Sequence, residues 1–181
     1  MSNVPLMIRL APILPACMAL LALTGPAWGD QPDAPADRAV NLFMQSCIGF
    51  PADIGALRAW IEHAGFPEVP ADRVDEFLGG LPGAAYDASG GQLALVLVVQ
   101  DDGSCSVVAD NANGNALVHH LDDTLHAANI SFTTMDDPSD PQTKDLNNRE
   151  YTASKDDRTW HMLVSTVKDP AGGPAMLTTN P

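Results

Sequence analysis

Residues 92–110, QLALVLVVQDDGSCSVVAD, limit the possible folds more than any other stretch. Every position between Gln92 and Gln100 is apolar. A strand with one wet face alternates, so a strand without alternation belongs in the middle of a sheet that is covered on both sides. DDGS then carries the Asp-Gly signal of a tight turn, and CSVVAD returns antiparallel to the first strand.

The upstream sequence supplies helices for this hairpin. One is expected from about Asp37 to Cys47, after a polar, proline-bearing lead-in at 30–37 that reads as flexible. In ADIGALRAWIEHAG, Asp53 can cap a second helix, with Ile54, Leu57, Ile61 and Ala64 as its apolar stripe and Gly65 as its stop. ADRVDEFLGG reads as a short third helix with Val74, Phe77 and Leu78 turned inward. LPGAAYDASGG reads as a loop. After the hairpin come a helix starting near Asn115, a strand at ISFTTM, an acidic loop DDPSDPQTKDLNN, and strands at EYTAS, TWHMLVSTV and AMLTT. The expected class is α+β: N-terminal helices followed by β-β-α-β-β-β in a mostly antiparallel sheet. That order is like the profilin- and roadblock-like folds, an architectural likeness that carries no function.

The first 29 residues read as a secretory leader. Arg9 precedes an uncharged apolar run from Leu10 to Thr24, followed by Gly25, Pro26 and the small residues Ala27 and Gly29 before Asp30. The run is 15 residues and holds two prolines, short of the roughly 20 needed to cross a bilayer. LPAC, Leu14 to Cys17, imitates a lipoprotein cleavage site, but the apolar run continues past the cysteine, so lipidation at Cys17 is the minor reading. The expected domain layout is a signal peptide at 1–29, the lead-in at 30–37 and one domain at 38–181, in the periplasm or secreted.

Cleavage near Gly29 removes Arg9 and leaves eight basic against 23 acidic residues, a net charge of −15. Such a surface repels phosphate backbones and anionic head groups, which argues against nucleic acid and membrane surfaces as partners. Stable membrane insertion after cleavage is not expected either. Cleavage also leaves two cysteines, Cys47 and Cys105, and in an oxidising compartment an even count favours a disulfide. Val40, Phe43 and Cys47 share a helical stripe, and Cys105 alternates with Val107 along a strand, so both sulfurs belong to the core. A redox pair would announce itself as C-x-x-C, which is absent, and a cysteine nucleophile would need a base that the sequence does not place.

ALVHHLDDTLHAAN, residues 116–129, holds three of the five histidines. At 100° per residue, Leu117, Val118, Leu121, Leu125 and Ala128 form a core stripe, with His119, Asp122, Asp123 and His126 opposite. His119 and His126 are seven residues apart, roughly 10.5 Å along the axis, whereas paired zinc histidines prefer i, i+4. A solvated face is the expectation; a metal or catalytic cluster is the alternative. DNANGN fails the calcium-loop register at Ala112 and Gly114 and reads as a turn into the helix. DASGGQ is no nucleophile elbow. His161 reads as a surface or half-buried strand residue, and His63 as a favourable charge in the last turn of its helix. No catalytic, metal or cofactor-binding residue is assigned, and no cofactor is expected.

AVNLFMQSCIGFP, GFPEVP and LALVLVVQDDGSCSVVAD together resemble a family of small exported (periplasmic) proteins of Gram-negative bacteria, over most of 39–110. The resemblance implies export and a disulfide between the first mature helix and the second hairpin strand, and no activity or ligand. Three functions remain in play. The first is a non-catalytic accessory or binding protein of the cell envelope, with an envelope protein or small ligand as partner. The second is a metal-dependent envelope hydrolase using His119, Asp123 or His126. The third is a purely structural or solubility protein.

Overall fold

A computed structural model describes residues 34–51, 53–92, 94–137, 145–169 and 171–180. The leader at 1–29 lies outside the described residues, as do 30–33 and the middle of the acidic loop, 138–144. Among the described residues four helices, α1 (Ala34–Gln45), α2 (Ile54–Ala64), α3 (Asp75–Leu78) and α4 (Gly114–Ala127), accompany seven strands. The strands are β1 (Gly83–Asp87), β2 (Leu95–Gln100), β3 (Cys105–Ala112), β4 (Ser131–Asp137), β5 (Leu146–Lys155), β6 (Arg158–Val167) and β7 (Gly173–Asn180). The domain is α+β.

Local chemistry sets the helix ends. Asp53 caps α2 by accepting from the Ala56 N–H at 2.9 Å, and Gly65 closes it in the left-handed conformation that glycine adopts without strain. Asn113 caps α4, its side chain accepting from Ala116 N–H at 3.0 Å. The first helix starts earlier than expected. Ala34–Asp37 are helical and Ala36 is buried, so α1 takes in the second half of the 30–37 lead-in; Pro35 is tolerated because the first turn needs no N–H there.

The sheet is antiparallel throughout, in the order β1-β2-β3-β7-β6-β5-β4. Three strands run as a meander, α4 carries the chain to the far edge, and β4 to β7 step back until β7 pairs with β3. The β-β-α-β-β-β order is short by one strand on each side of the helix: β1 precedes the hairpin, and the four segments ISFTTM, EYTAS, TWHMLVSTV and AMLTT are β4 to β7, one more than that order counts. The missed leading strand is β1, read as loop from its Gly, Pro and Ser content. Its five residues are made a strand by pairing with β2, from Gly83 opposite Gln100 to Asp87 opposite Val96.

Both faces of β2 are buried, as its unbroken apolar run requires. Leu97 and Val99 join the main core with α1, α2 and α4, while Val96 and Val98 join a smaller cluster with Val69, Ala85 and Leu78 of α3. Cys47 and Cys105 form the disulfide, closing a separation of 58 residues and fixing the turn after α1 to the start of β3. Both cysteines are buried in the main core.

The sheet register carries the core across to the site. Leu97, Val107, Leu177 and Val164 pair in sequence across β2, β3, β7 and β6, and the same row continues into Arg149 on β5 and Asp136 on β4. The next row runs Ala109, Ala175, Thr166, Asn147. Two apolar rows thus turn polar at the end of the sheet where α4 begins.

Candidate functional site

A cavity of about 330 Å³ lies at that polar end, between the first turns of α4 and strands β4 to β6. Gly114 and Asn115 form its helical wall, and Asp136, Asn147, Arg149 and Thr166 supply polar groups from the sheet. Val118, Leu146 and Val164 add apolar surface. A smaller cavity of about 200 Å³ adjoins it, sharing Gly114, Asn115 and Asn147. Mixed apolar walls with a few converging polar groups are the usual make-up of a small-ligand site, and this volume sits at the small end of that class.

Thr166 is 4% exposed and lines this cavity. It stands against the start of α4: a methyl group added at Gly114 would come within 2.7 Å of the Thr166 hydroxyl oxygen. Glycine at 114 therefore lets the helix begin directly over β6. The positive end of the α4 dipole lies at this wall.

Arg149 faces Asp136 directly across the strands, with Nε at 2.6 Å from one carboxylate oxygen and Nη2 at 3.3 Å from the other. Its Nη1 lies 3.8 Å from Asp122 on α4. The Asp136 carboxylate, first among its neighbours, raises the Arg149 pKa, and Arg149 lowers that of Asp136 through the same hydrogen bond. Behind the pair, Tyr151 is 1% exposed and donates its hydroxyl to Asp122 at 2.9 Å. Burial, then the hydrogen bond to Asp122, pushes the Tyr151 phenol above its ordinary range. Asp122, Tyr151, Arg149 and Asp136 form one network that holds α4 to the sheet beside the cavity.

The histidine run comes apart into separate surface contacts. His119 Nδ1 lies 3.1 Å from Asp123, with both side chains largely exposed, and this is the solvated i, i+4 pair expected. His126 is exposed and rests against the ring of Phe132, centroids 4.9 Å apart. His120 reaches across to Asp37 of α1 at 2.9 Å. Asp122 departs from the expectation: it turns to the sheet and Tyr151 rather than to solvent. Among the described residues no group of three or more His, Cys, Asp or Glu side chains is placed to hold a metal ion.

The remaining motifs have structural roles. In DASGGQ the buried Asp87 carboxylate accepts from Ser89 N–H at 2.7 Å and Gly91 N–H at 2.6 Å, and Ser89 donates its hydroxyl to the same carboxylate. The serine is thereby bound into its turn. DNANGN ends β3 and caps α4, close to the expected turn. His161 is exposed on β6, with Trp160 and Met162 buried on the other face, and His63 lies in the last turn of α2.

Arg149, Tyr151, Thr166 and Asp136 were not anticipated as site residues. The signal is present in the alternation of β5, where Asn147, Arg149, Tyr151 and Ala153 share a face, although LNN reads as the end of the acidic loop. A charged residue in phase with a buried tyrosine and alanine marks a cation drawn inward. No helix among the described residues is long and apolar enough to cross a membrane. Comparison with family models, with curated proteins and with solved structures finds no match to this chain.

Proposed function

We propose that this chain is an exported, non-catalytic binding protein of the bacterial envelope, and that the cavity between α4 and β4–β6 is its binding site. The observation that carries this reading is the cavity of about 330 Å³ in which Thr166, Asn147, Arg149 and Asp136 converge beside the start of α4. The buried disulfide supports the export reading, since such bonds persist in oxidising compartments. So does the leader pattern at 1–29.

The test is ligand capture. Thermal unfolding of the mature chain is followed in deproteinised envelope extract, next to Asn115→Trp, which fills the cavity mouth from an exposed helix position. The wild type is expected to melt higher in extract, since a ligand that binds the native state stabilises it by mass action, while the blocked variant is unmoved. No shift for the wild type, together with turnover in a broad hydrolase screen, would overturn the reading.

A further inference from the structure

We infer that the ligand of this cavity is a neutral polyhydroxylated molecule of saccharide type, presenting hydroxyl groups to Thr166, the Arg149–Asp136 pair, Asn115 and Asn147. The inference rests on the binding role just proposed and names its ligand class.

Charge excludes the alternatives first. An anion would look to Arg149, the cation among the described residues lining the larger cavity. Two of its nitrogens already contact Asp136, and the third lies 3.8 Å from Asp122. An anion would have to displace Asp136 from a bidentate pair inside a mature protein of net charge −15. A cation would find Asp136 already held by Arg149, and would face the positive end of α4. Among the described residues neither sign of charge is complemented.

The remaining groups share one property: each both donates and accepts. The Thr166 hydroxyl does so alone, and the carboxamides of Asn115 and Asn147 do so through their two ends. The Arg149–Asp136 pair does so jointly, with guanidinium protons beside carboxylate lone pairs. A sugar hydroxyl is also donor and acceptor at once, so it can meet any of these groups in either sense. Val118, Leu146 and Val164 offer apolar wall to the C–H faces of a ring. A cavity of about 330 Å³ suits a ligand of one or two rings.

The experiment uses ¹⁵N-labelled mature protein with its disulfide intact, titrated separately with methyl α-glucoside, maltose, succinate and putrescine. The neutral sugars are expected to shift the amide signals of Gly114, Asn115, Arg149 and Thr166 saturably, while succinate and putrescine leave them in place. Thr166→Val, which keeps the side-chain shape, should weaken sugar binding by about 3- to 10-fold, as for one hydrogen bond, and Thr166→Ser should restore it. Asp136→Asn should release Arg149, so that succinate binds at least about 10-fold more tightly than to the wild type. Sugars that leave these signals unmoved overturn the inference. If succinate, putrescine or the extract moves them instead, the binding role survives and the ligand class is wrong; if nothing moves them, both fail.

Discussion

Replacing Tyr151 by phenylalanine removes one oxygen from the network that anchors α4. The Tyr151 hydroxyl donates to Asp122 at 2.9 Å, from a residue 1% exposed. Hydrogen bonds to charged partners contribute more than the roughly 1 kcal/mol of neutral ones. The Asp122 side chain keeps 30% of its exposure and has Arg149 at 3.8 Å, so water and that guanidinium take over part of the lost contact. The expected loss lies at the low end, about 1.5 kcal/mol, because the carboxylate is not stranded. Urea unfolding under oxidising conditions should show the midpoint falling with an unchanged slope, and the melting temperature should drop by about 3–6 °C for a domain of this size. A cycle with Asp122→Ala should return a coupling near 1 kcal/mol between the two sites. A loss below about 0.5 kcal/mol for Tyr151→Phe, or no coupling, would refute the claim that this contact fastens α4 to the sheet.

The same tyrosine gives a pH dependence. Its folded pKa is raised above the ordinary 10.0, so the folded state holds the proton longer. This contribution is fully present below pH 10 and falls as pH rises beyond it. Denaturant titrations from pH 9 to 11 should show that decline in the wild type and a shallower one in Tyr151→Phe. Converting Cys47 and Cys105 to serine opens a separation of 58 residues, for which the chain-entropy model gives a loss of about 4 kcal/mol, read as a lower urea midpoint. Gly114→Ala should destabilise by about 1–2 kcal/mol in the same assay despite alanine's better helix propensity, because the new methyl meets the Thr166 hydroxyl at 2.7 Å and its Cβ at 2.9 Å. His119→Ala should change stability by less than about 0.5 kcal/mol, as for an exposed i, i+4 pair, and chelator treatment should leave the melting curve in place.

Features with a local cause were legible in the sequence. Asp53 and Gly65 bound α2 as their chemistry dictates, the Asp-Gly turn joins β2 to β3, and Leu117, Leu121 and Leu125 form the buried stripe of α4. The cysteines fell in phase with apolar neighbours and are joined. What escaped depends on distant partners. GAAYD has weak strand character of its own, and it becomes a strand by pairing with β2 on one side and with the backbone of Pro67 to Val69 on the other. Asp122 lies opposite the leucine stripe by helical angle, yet it is drawn toward the sheet because Tyr151 and Arg149 rise from β5 to meet it. The cavity escaped for the same reason. Its residues come from α4, β4, β5 and β6, and strand register alone brings Thr166, Asn147, Arg149 and Asp136 into adjacent rows.

The most direct test of an exported, disulfide-closed binding protein is the intact mass of the chain expressed with its full N-terminus in a Gram-negative host and released by osmotic shock. The expected species is Asp30–Pro181 less two hydrogens, with no thiol open to alkylation after unfolding. A full-length mass that keeps the first 29 residues, or two alkylated cysteines, would contradict it.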